Sequence, residues 1–309
     1  MSLLSFRSDL TRAIRNYFYA SDVVEVTTAS LRAAGTSDVH LENLAVELKE
    51  GRSYLQTSPE YAMKILLASH RDLLFQICPA FRGGETGTRH RVEFQMLEWY
   101  RWGYRLPELA DDLISMLTYV QQALADQYDT LPFEPVIRRV TYRELFEARY
   151  DINPHLADEA ALKGLAMSVG LDHLAFDASQ DDYLDGLFSV GVEPDLVEPT
   201  IVYDFPACQA ALAETRQRPS GDLVSDRFEL YVRGLELANA YQELTDAEEL
   251  ERRLKGNNLR RKQLGKPLIP LDAEMIQATG RLETCAGIAL GVDRLVMVLL
   301  GAETIEAVI

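Results

Sequence analysis

With 309 residues, 47% of them apolar, the chain has enough material for one large domain or two small ones. Its 48 acidic and 31 basic residues give a net charge of −17, which argues against a large nucleic-acid footprint, because such surfaces set cations against phosphate. Cys78, Cys208 and Cys285 form no CxxC pattern, no secretory signal opens the chain and no apolar run approaches 18 residues, so the chain reads as soluble and cytoplasmic.

The first predicted element is a helix over 5–20, where Phe6, Leu10, Ile14, Tyr17 and Phe18 recur near the helical period. The β-branched run 23–28 predicts a strand. Ser58-Pro59-Glu60 predicts a helix start: Ser58 as N-cap, a proline in the first turn, an acid at the positive end. That helix runs to about residue 69. Residues 73–80 and 93–104 predict two strands of a hairpin, with a glycine-rich turn at 83–87. An amphipathic helix is expected over 107–127, and short helices over 140–190, punctuated by Pro154 and Gly170. Strands follow at 200–205, 227–233 and 235–241, then a charged helix at 246–264. Residues 287–291 read as a Gly-x-x-x-Gly turn, and 294–300 starts the last helix. Hairpin strands with segregated helices imply an α+β fold: an antiparallel sheet flanked by helices, one domain over 1–309, with a helical insertion near 105–195.

Two segments carry the chemistry: FRGGETGTRHRVEFQMLEWY at 81–100 and GIALGVDR at 287–294. An ATP site needs cations for phosphate, a platform for adenine and carboxylates for Mg²⁺. Arg82, Arg89 and Arg294, helped by His90, are the phosphate candidates, and Phe94 is the adenine platform. Glu229, Glu236 and Glu243 recur every seven residues. A bend at Arg233-Gly234 would bring Glu229 and Glu236 to neighbouring strands, where paired carboxylates can hold Mg²⁺; the alternative is three exposed strand acids. A substrate ammonium calls for carboxylates, and Glu60, Glu98, Tyr100 and Glu243 are the candidates, Glu98 and Tyr100 sharing one strand face. The segment 252–266 has seven basic residues and no acid, which suits either a dock for an acidic partner or a solvated basic helix.

The first segment resembles motif 2 of the class II aminoacyl-tRNA synthetases, GIALGVDRLVMVLLG resembles motif 3, and Glu25-Val26-Thr27-Thr28 resembles a worn motif 1. Within the class, TSPEYAMK and ELANAYQELTDAEE are similar to the lysyl subgroup. TSDVHL, TSPEY, LEWYR, FPACQAALA, ELANAYQELTDA and ALGVDRLVM resemble the elongation factor P–(R)-β-lysine ligases, a family of lysyl-tRNA synthetase paralogues. The resemblance runs from about residue 5 to the end of the sequence. It implies a class II sheet without the anticodon-binding barrel, and a homodimer. It also implies ATP-dependent activation of (R)-β-lysine, or of lysine, as an adenylate, with Mg²⁺ as cofactor. Transfer to a lysine side chain of elongation factor P, the acceptor partner, would follow.

By position, the resemblance assigns Arg82 to the α-phosphate and reacting carboxylate, and Arg89, His90 and Arg294 to the outer phosphates or adenine. Phe94 would stack on adenine, Glu85 would reach it, Glu229 and Glu236 would bind Mg²⁺, and Glu236 and Leu237 would border the ATP. Glu98, Tyr100 and Glu243 would grip the side-chain ammonium, and Ser58, Pro59 and Glu60 the other amino group. Gly287 and Gly291 would admit the nucleotide. Ala289 stands where the synthetases have a glycine, a difference able to discriminate by about 1–3 kcal/mol. The chain departs from the family pattern at Gly84, where a glutamate is usual, at Arg91-Val92 for Asn-Pro, at Ala29 for the motif 1 proline and at Ala240 for a glycine. Gly84, Arg91 and Ala29 suit another reading, a synthetase-like regulator that binds ligand without activating it, and a further alternative keeps the adenylate chemistry with another amino acid or acceptor.

Overall fold

The computed structural model describes residues 2–131, 137–172, 174 and 178–309. The chain divides into two compact units, Met1–Phe133 with Glu243–Ile309, and Glu134–Gln242. In chain order the first unit supplies α1 (Leu3–Tyr19), β1 (Val24–Glu25), β2 (Leu31–Arg32), β3 (Ala45–Leu48), β4 (Gly51–Leu55), α2 (Glu60–His70), β5 (Leu74–Phe81), β6 (Glu93–Trp102) and α3 (Leu106–Ala125). The second unit holds β7 (Arg138–Thr141), α4 (Tyr142–Tyr150), α5 (Glu159–Ser168), α6 (Gln180–Gly191), β8 (Thr200–Pro206), β9 (Thr215–Gln217), β10 (Leu223–Tyr231) and β11 (Glu236–Gln242). The chain then completes the first unit with α7 (Ala247–Gln263), α8 (Ala273–Thr279), β12 (Cys285–Gly291) and α9 (Val292–Leu300).

In the first unit β6 is the central strand. It pairs antiparallel with β5, from Leu74 opposite Tyr100 to Phe81 opposite Glu93, and antiparallel with β12, from Cys285 opposite Trp102 to Gly291 opposite Met96. β1 adds parallel to β5. The strand period sends Trp99 and Arg101 to one face and Glu98 and Tyr100 to the other. On the first face Phe18 of α1 stacks on Phe75 at 4.5 Å and lies 5.3 Å from Trp99. Asp112 of α3 collects Trp99 Nε1 at 3.0 Å, Arg101 Nε at 2.8 Å and the Tyr17 hydroxyl at 2.6 Å. That anchoring leaves the second face of β6 for the site. β2, β4 and β3 make a separate small antiparallel sheet.

In the second unit β10 pairs antiparallel with β11 and with β8, and β8 runs parallel to β7. Its core is aromatic: Tyr142 lies 5.1 Å from Phe146 and 4.8 Å from Phe188, both stacked. α4 starts at a reciprocal cap, Thr141 Oγ1 accepting from the Glu144 N–H and Glu144 Oε2 accepting from the Thr141 N–H.

The α+β class with mainly antiparallel pairing is as expected, and so are the hairpin β5–β6 and the turn at Arg233-Gly234. Both turn residues are left-handed, with φ of 57° and 63°. Three expectations are corrected. Residues 287–291 are not a turn; they are strand β12, buried against β6. The strand expected over 23–28 shrinks to Val24–Glu25. α2 begins at Glu60 with Pro59 as its N-cap, and Ser58 only accepts from the Glu60 N–H at 3.3 Å. The helices expected between 105 and 195 are present but divided: α3 packs on α1 in the first unit, and α4 to α6 build the core of the second. Residues 132–136, 173 and 175–177 of that stretch lie outside the described residues.

Candidate active site

On the second face of β6, Glu98 and Tyr100 meet the first turn of α2 and the start of the returning chain. Lys64 of α2 places Nζ 2.6 Å from Glu60 Oε1 and 2.6 Å from Glu243 Oε2, and the Lys64 and Glu243 side chains are each 1% exposed. Burial drives the Lys64 ammonium down, but Glu243 and Glu60 outweigh it and hold the group above its ordinary value. Tyr100 donates its hydroxyl to Glu98 Oε1 at 2.6 Å, while Glu98 Oε2 is buried with no hydrogen-bond partner. Burial pushes Glu98 well above the usual carboxylate range; Glu60 and Glu243 add to the rise, and Tyr100 and Lys64 oppose it. Glu60, Glu98 and Glu243 thus share a single lysine. Such a cluster is costly to bury and is relieved by an incoming cation.

β12 closes the wall. Gly287 lies opposite Tyr100 and Ala289 opposite Glu98. A Cβ at Gly287 would collide with Glu243 Oε1 and the Tyr100 ring, so the glycine is required by the pocket and not by a turn. The Glu243 N–H donates to Cys285 O at 3.1 Å, fixing that carboxylate to the same strand. Of the expected ammonium residues, Glu60, Glu98, Tyr100 and Glu243 come together here. Ser58 and Pro59 stand only at the start of α2.

The arginines form two further groupings. Arg82 leaves β5 with its guanidinium 5.2 Å from the Phe94 ring centre, its Nε donating to Thr57 O at 3.3 Å and Glu85 Oε1 3.7 Å away. Arg294 of α9 places Nη2 2.7 Å from His90 Nε2. Both Arg89 and His90 are on the exposed turn between β5 and β6. The start of α9 is fixed by Asp293, whose carboxylate takes Arg7 Nη2 at 2.6 Å and the Gln95 N–H at 2.7 Å. Gly291 is the residue before α9, and a Cβ there would meet the Arg294 stem only at an ordinary contact distance of 3.5 Å.

In the second unit, Arg227, Glu229 and Tyr231 alternate on β10 and share a face; Arg227 and Tyr231 both donate to the Glu229 carboxylate. Burial pushes Glu229 up to about 7, with Arg227 and Tyr231 opposing and Glu236 of β11 adding to the rise. Leu237, next to Glu236, is buried. Among the described residues no three His, Cys, Asp or Glu side chains are gathered as a metal cage. Glu229 and Glu236 lie on the paired strands β10 and β11, with Glu236 opposite Tyr231 and Glu229 opposite Asn239.

The basic segment 252–266 differs from both expectations in part. Arg252 and Arg253 pair with Glu249, and Lys255 with Glu251, all on α7. Arg261 is buried and donates to Asp38 O at 2.8 Å, and Lys266 donates to Val39 O at 2.6 Å. Lys64 and Asp293 are the residues that sequence reasoning missed, and Arg261 reads in the sequence only as one charge of the basic segment. Only the first left a signal, the i, i+4 spacing of Glu60 and Lys64 on one helix.

A family model described as tRNA synthetases class II (D, K and N) matches residues 1–309. Among curated proteins, an elongation factor P–(R)-β-lysine ligase of Pseudoalteromonas translucida is 39% identical over 319 aligned positions, covering 100% of this chain and 94% of that protein. Proteins of the same name from Vibrio cholerae and Salmonella paratyphi B are 37% and 38% identical, covering 100% and 98% of this chain and 94% and 92% of theirs.

Proposed function

The chain belongs to the class II tRNA synthetase family, an ATP-dependent ligase, and on that premise we propose that it activates (R)-β-lysine and transfers it to a lysine of elongation factor P. The observation that carries the reading is the Glu60–Lys64–Glu98–Glu243 cluster, with the Glu98 Oε2 atom buried and unpartnered. An apolar or anionic ligand would leave that oxygen unsatisfied; an ammonium satisfies it.

In the first step the substrate carboxylate attacks the α-phosphorus of ATP, and pyrophosphate leaves. Arg82 neutralises the reacting carboxylate and phosphate, while Arg294 with His90 takes the outer phosphates and Phe94 the adenine. These groups position charge and form no covalent bond with the substrate. In the second step the neutral amine of the acceptor lysine attacks the adenylate carbonyl. An amide forms, AMP leaves and the amine loses a proton. The mutual repulsion of Glu229 and Glu236 fits a divalent cation, and these two would be its ligands. Held by Glu229 and Glu236, Mg²⁺ would supply positive charge to offset phosphate. That the chain acts as one catalytic domain, in the cytoplasm and as a homodimer, is part of the same proposal. The family match over 1–309 supports the single catalytic domain; among the described residues no helix is long and apolar enough to cross a membrane.

The test is ATP–pyrophosphate exchange with (R)-β-lysine, α-lysine or no amino acid. Exchange that prefers (R)-β-lysine is expected. Exchange with α-lysine alone would change the substrate. None, from folded protein, would favour a ligand-binding regulator.

A further inference from the structure

The turn after Arg82 lacks side chains at two successive positions, Gly83 and Gly84. Gly84 has φ +74°, which a β-carbon disfavours, so the glutamate usual at this position is not readily restored. Glu42 reaches the gap from elsewhere. Its carbonyl accepts from the Gly83 N–H at 2.8 Å, closing an isolated antiparallel bridge. A Cβ at Gly84 would lie 3.0 Å from Glu42 Oε2, and one at Gly83 3.0 Å from Glu42 Cγ. A carboxylate oxygen therefore stands where a side chain at 84 would emerge.

The segment that carries Glu42 is held in place. Arg261, 3% exposed, donates Nη1 to Asp38 O at 2.8 Å and Leu41 O at 3.3 Å, and Nε to Pro267 O at 2.9 Å. Lys266 Nζ reaches Val39 O at 2.6 Å. Asn43 accepts from the Thr36 N–H at 2.9 Å and donates to Thr36 O at 2.8 Å. Burying a guanidinium against main-chain carbonyls carries a desolvation cost, so the conformation of this loop is specified and not incidental.

We propose that Glu42 is a specificity residue of the nucleotide site, accepting a hydrogen bond from the exocyclic amino group of the base, with Arg261 as the positioning residue for its loop. This rests on the adenylate-forming reading above. A carboxylate is acceptor-only and is repelled by phosphate, so it suits the amino end of the nucleotide. Adenine offers an amino donor at its six position; a six-oxo purine would set oxygen against oxygen.

The experiment compares ATP with inosine triphosphate, by pyrophosphate exchange and by calorimetric binding, for wild type, Glu42→Gln, Glu85→Gln and Arg261→Met. The wild type is expected to favour ATP by roughly 100-fold. Glu42→Gln presents a donor as well as an acceptor and should reduce the preference to within about threefold, leaving KM for the amino acid unchanged. Glu85→Gln tests the residue that the motif 2 resemblance points to adenine: loss of the preference there, with Glu42→Gln unchanged, would overturn the assignment to Glu42. An unchanged ratio in Glu42→Gln, or equal losses for both nucleotides, would overturn the assignment. A folded Arg261→Met with the wild-type ratio would remove the positioning role. If wild type binds ATP without exchanging, calorimetry still reads the ratio while the activity reading fails. If it binds neither nucleotide, both fail.

Discussion

Glu98 on β6 and Glu229 on β10 are both buried, and each accepts a hydrogen bond from the tyrosine two residues further along its strand, Tyr100 or Tyr231. They differ two residues the other way. Before Glu229 on the same face stands Arg227, which pairs with it; before Glu98 stands Met96, which cannot. The first carboxylate has a cation from its own strand, and the second keeps an oxygen unpartnered. Lys64 sharpens the difference, because its one charge is paired directly with Glu60 and Glu243, while the hydrogen bond to Glu98 comes from Tyr100. Glu229 thus has one cation from its own strand and Glu98 has none, although both are buried.

The largest expected effect tests the role of Lys64. Lys64→Met leaves Glu60 and Glu243 without their cation and should lower stability by about 3–5 kcal/mol in urea unfolding. A loss below 1 kcal/mol would mean that the two carboxylates do not depend on it. Next, Glu98→Gln and Glu229→Gln should separate. Glu98→Gln is expected to weaken amino-acid binding by about 2–4 kcal/mol while KM for ATP stays within about twofold. Glu229→Gln should instead raise the Mg²⁺ requirement of exchange. Matching kinetic profiles for the two variants would break the comparison. The smallest effect is a pH dependence. Burial holds the empty-pocket Glu98 above the usual carboxylate range, and an adjacent ammonium draws it down. Binding therefore releases protons, and affinity rises with pH between the ligand-bound and empty-pocket values of Glu98. The Tyr100 hydroxyl lowers Glu98, so Tyr100→Phe should move this rise to higher pH. Calorimetry in two buffers of different ionisation heat reads the released proton, and equal heats would rule it out.

Patterns of short range were legible in the sequence. The β5–β6 hairpin, α3 and the β10–β11 turn follow from apolar periodicity and from Arg233-Gly234, and they emerge close to their expected bounds. Strand period alone put Glu98 and Tyr100 on one face. Gly287 misled, because glycine usually marks a turn, whereas here it is required by Glu243 and Tyr100 across the strand. The strands β2, β3 and β4 are short and mostly exposed, so they have no clear alternation to read. Arg261 and Lys266 read as part of either a dock or a solvated basic helix because sequence shows charge but not the carbonyls it meets.

Asp293 has a consequence for how the protein folds. It joins Arg7 across 286 residues and Gln95 across 198, and Arg7 also donates to Val308 O across 301. Closing such long loops costs entropy before any contact repays it, so these bonds should form late and open early. Arg294 directly follows this junction. Mild destabilisation is therefore expected to displace Arg294, the arginine proposed to take the outer phosphates, while helices and strands persist, and refolding should recover secondary structure before nucleotide binding.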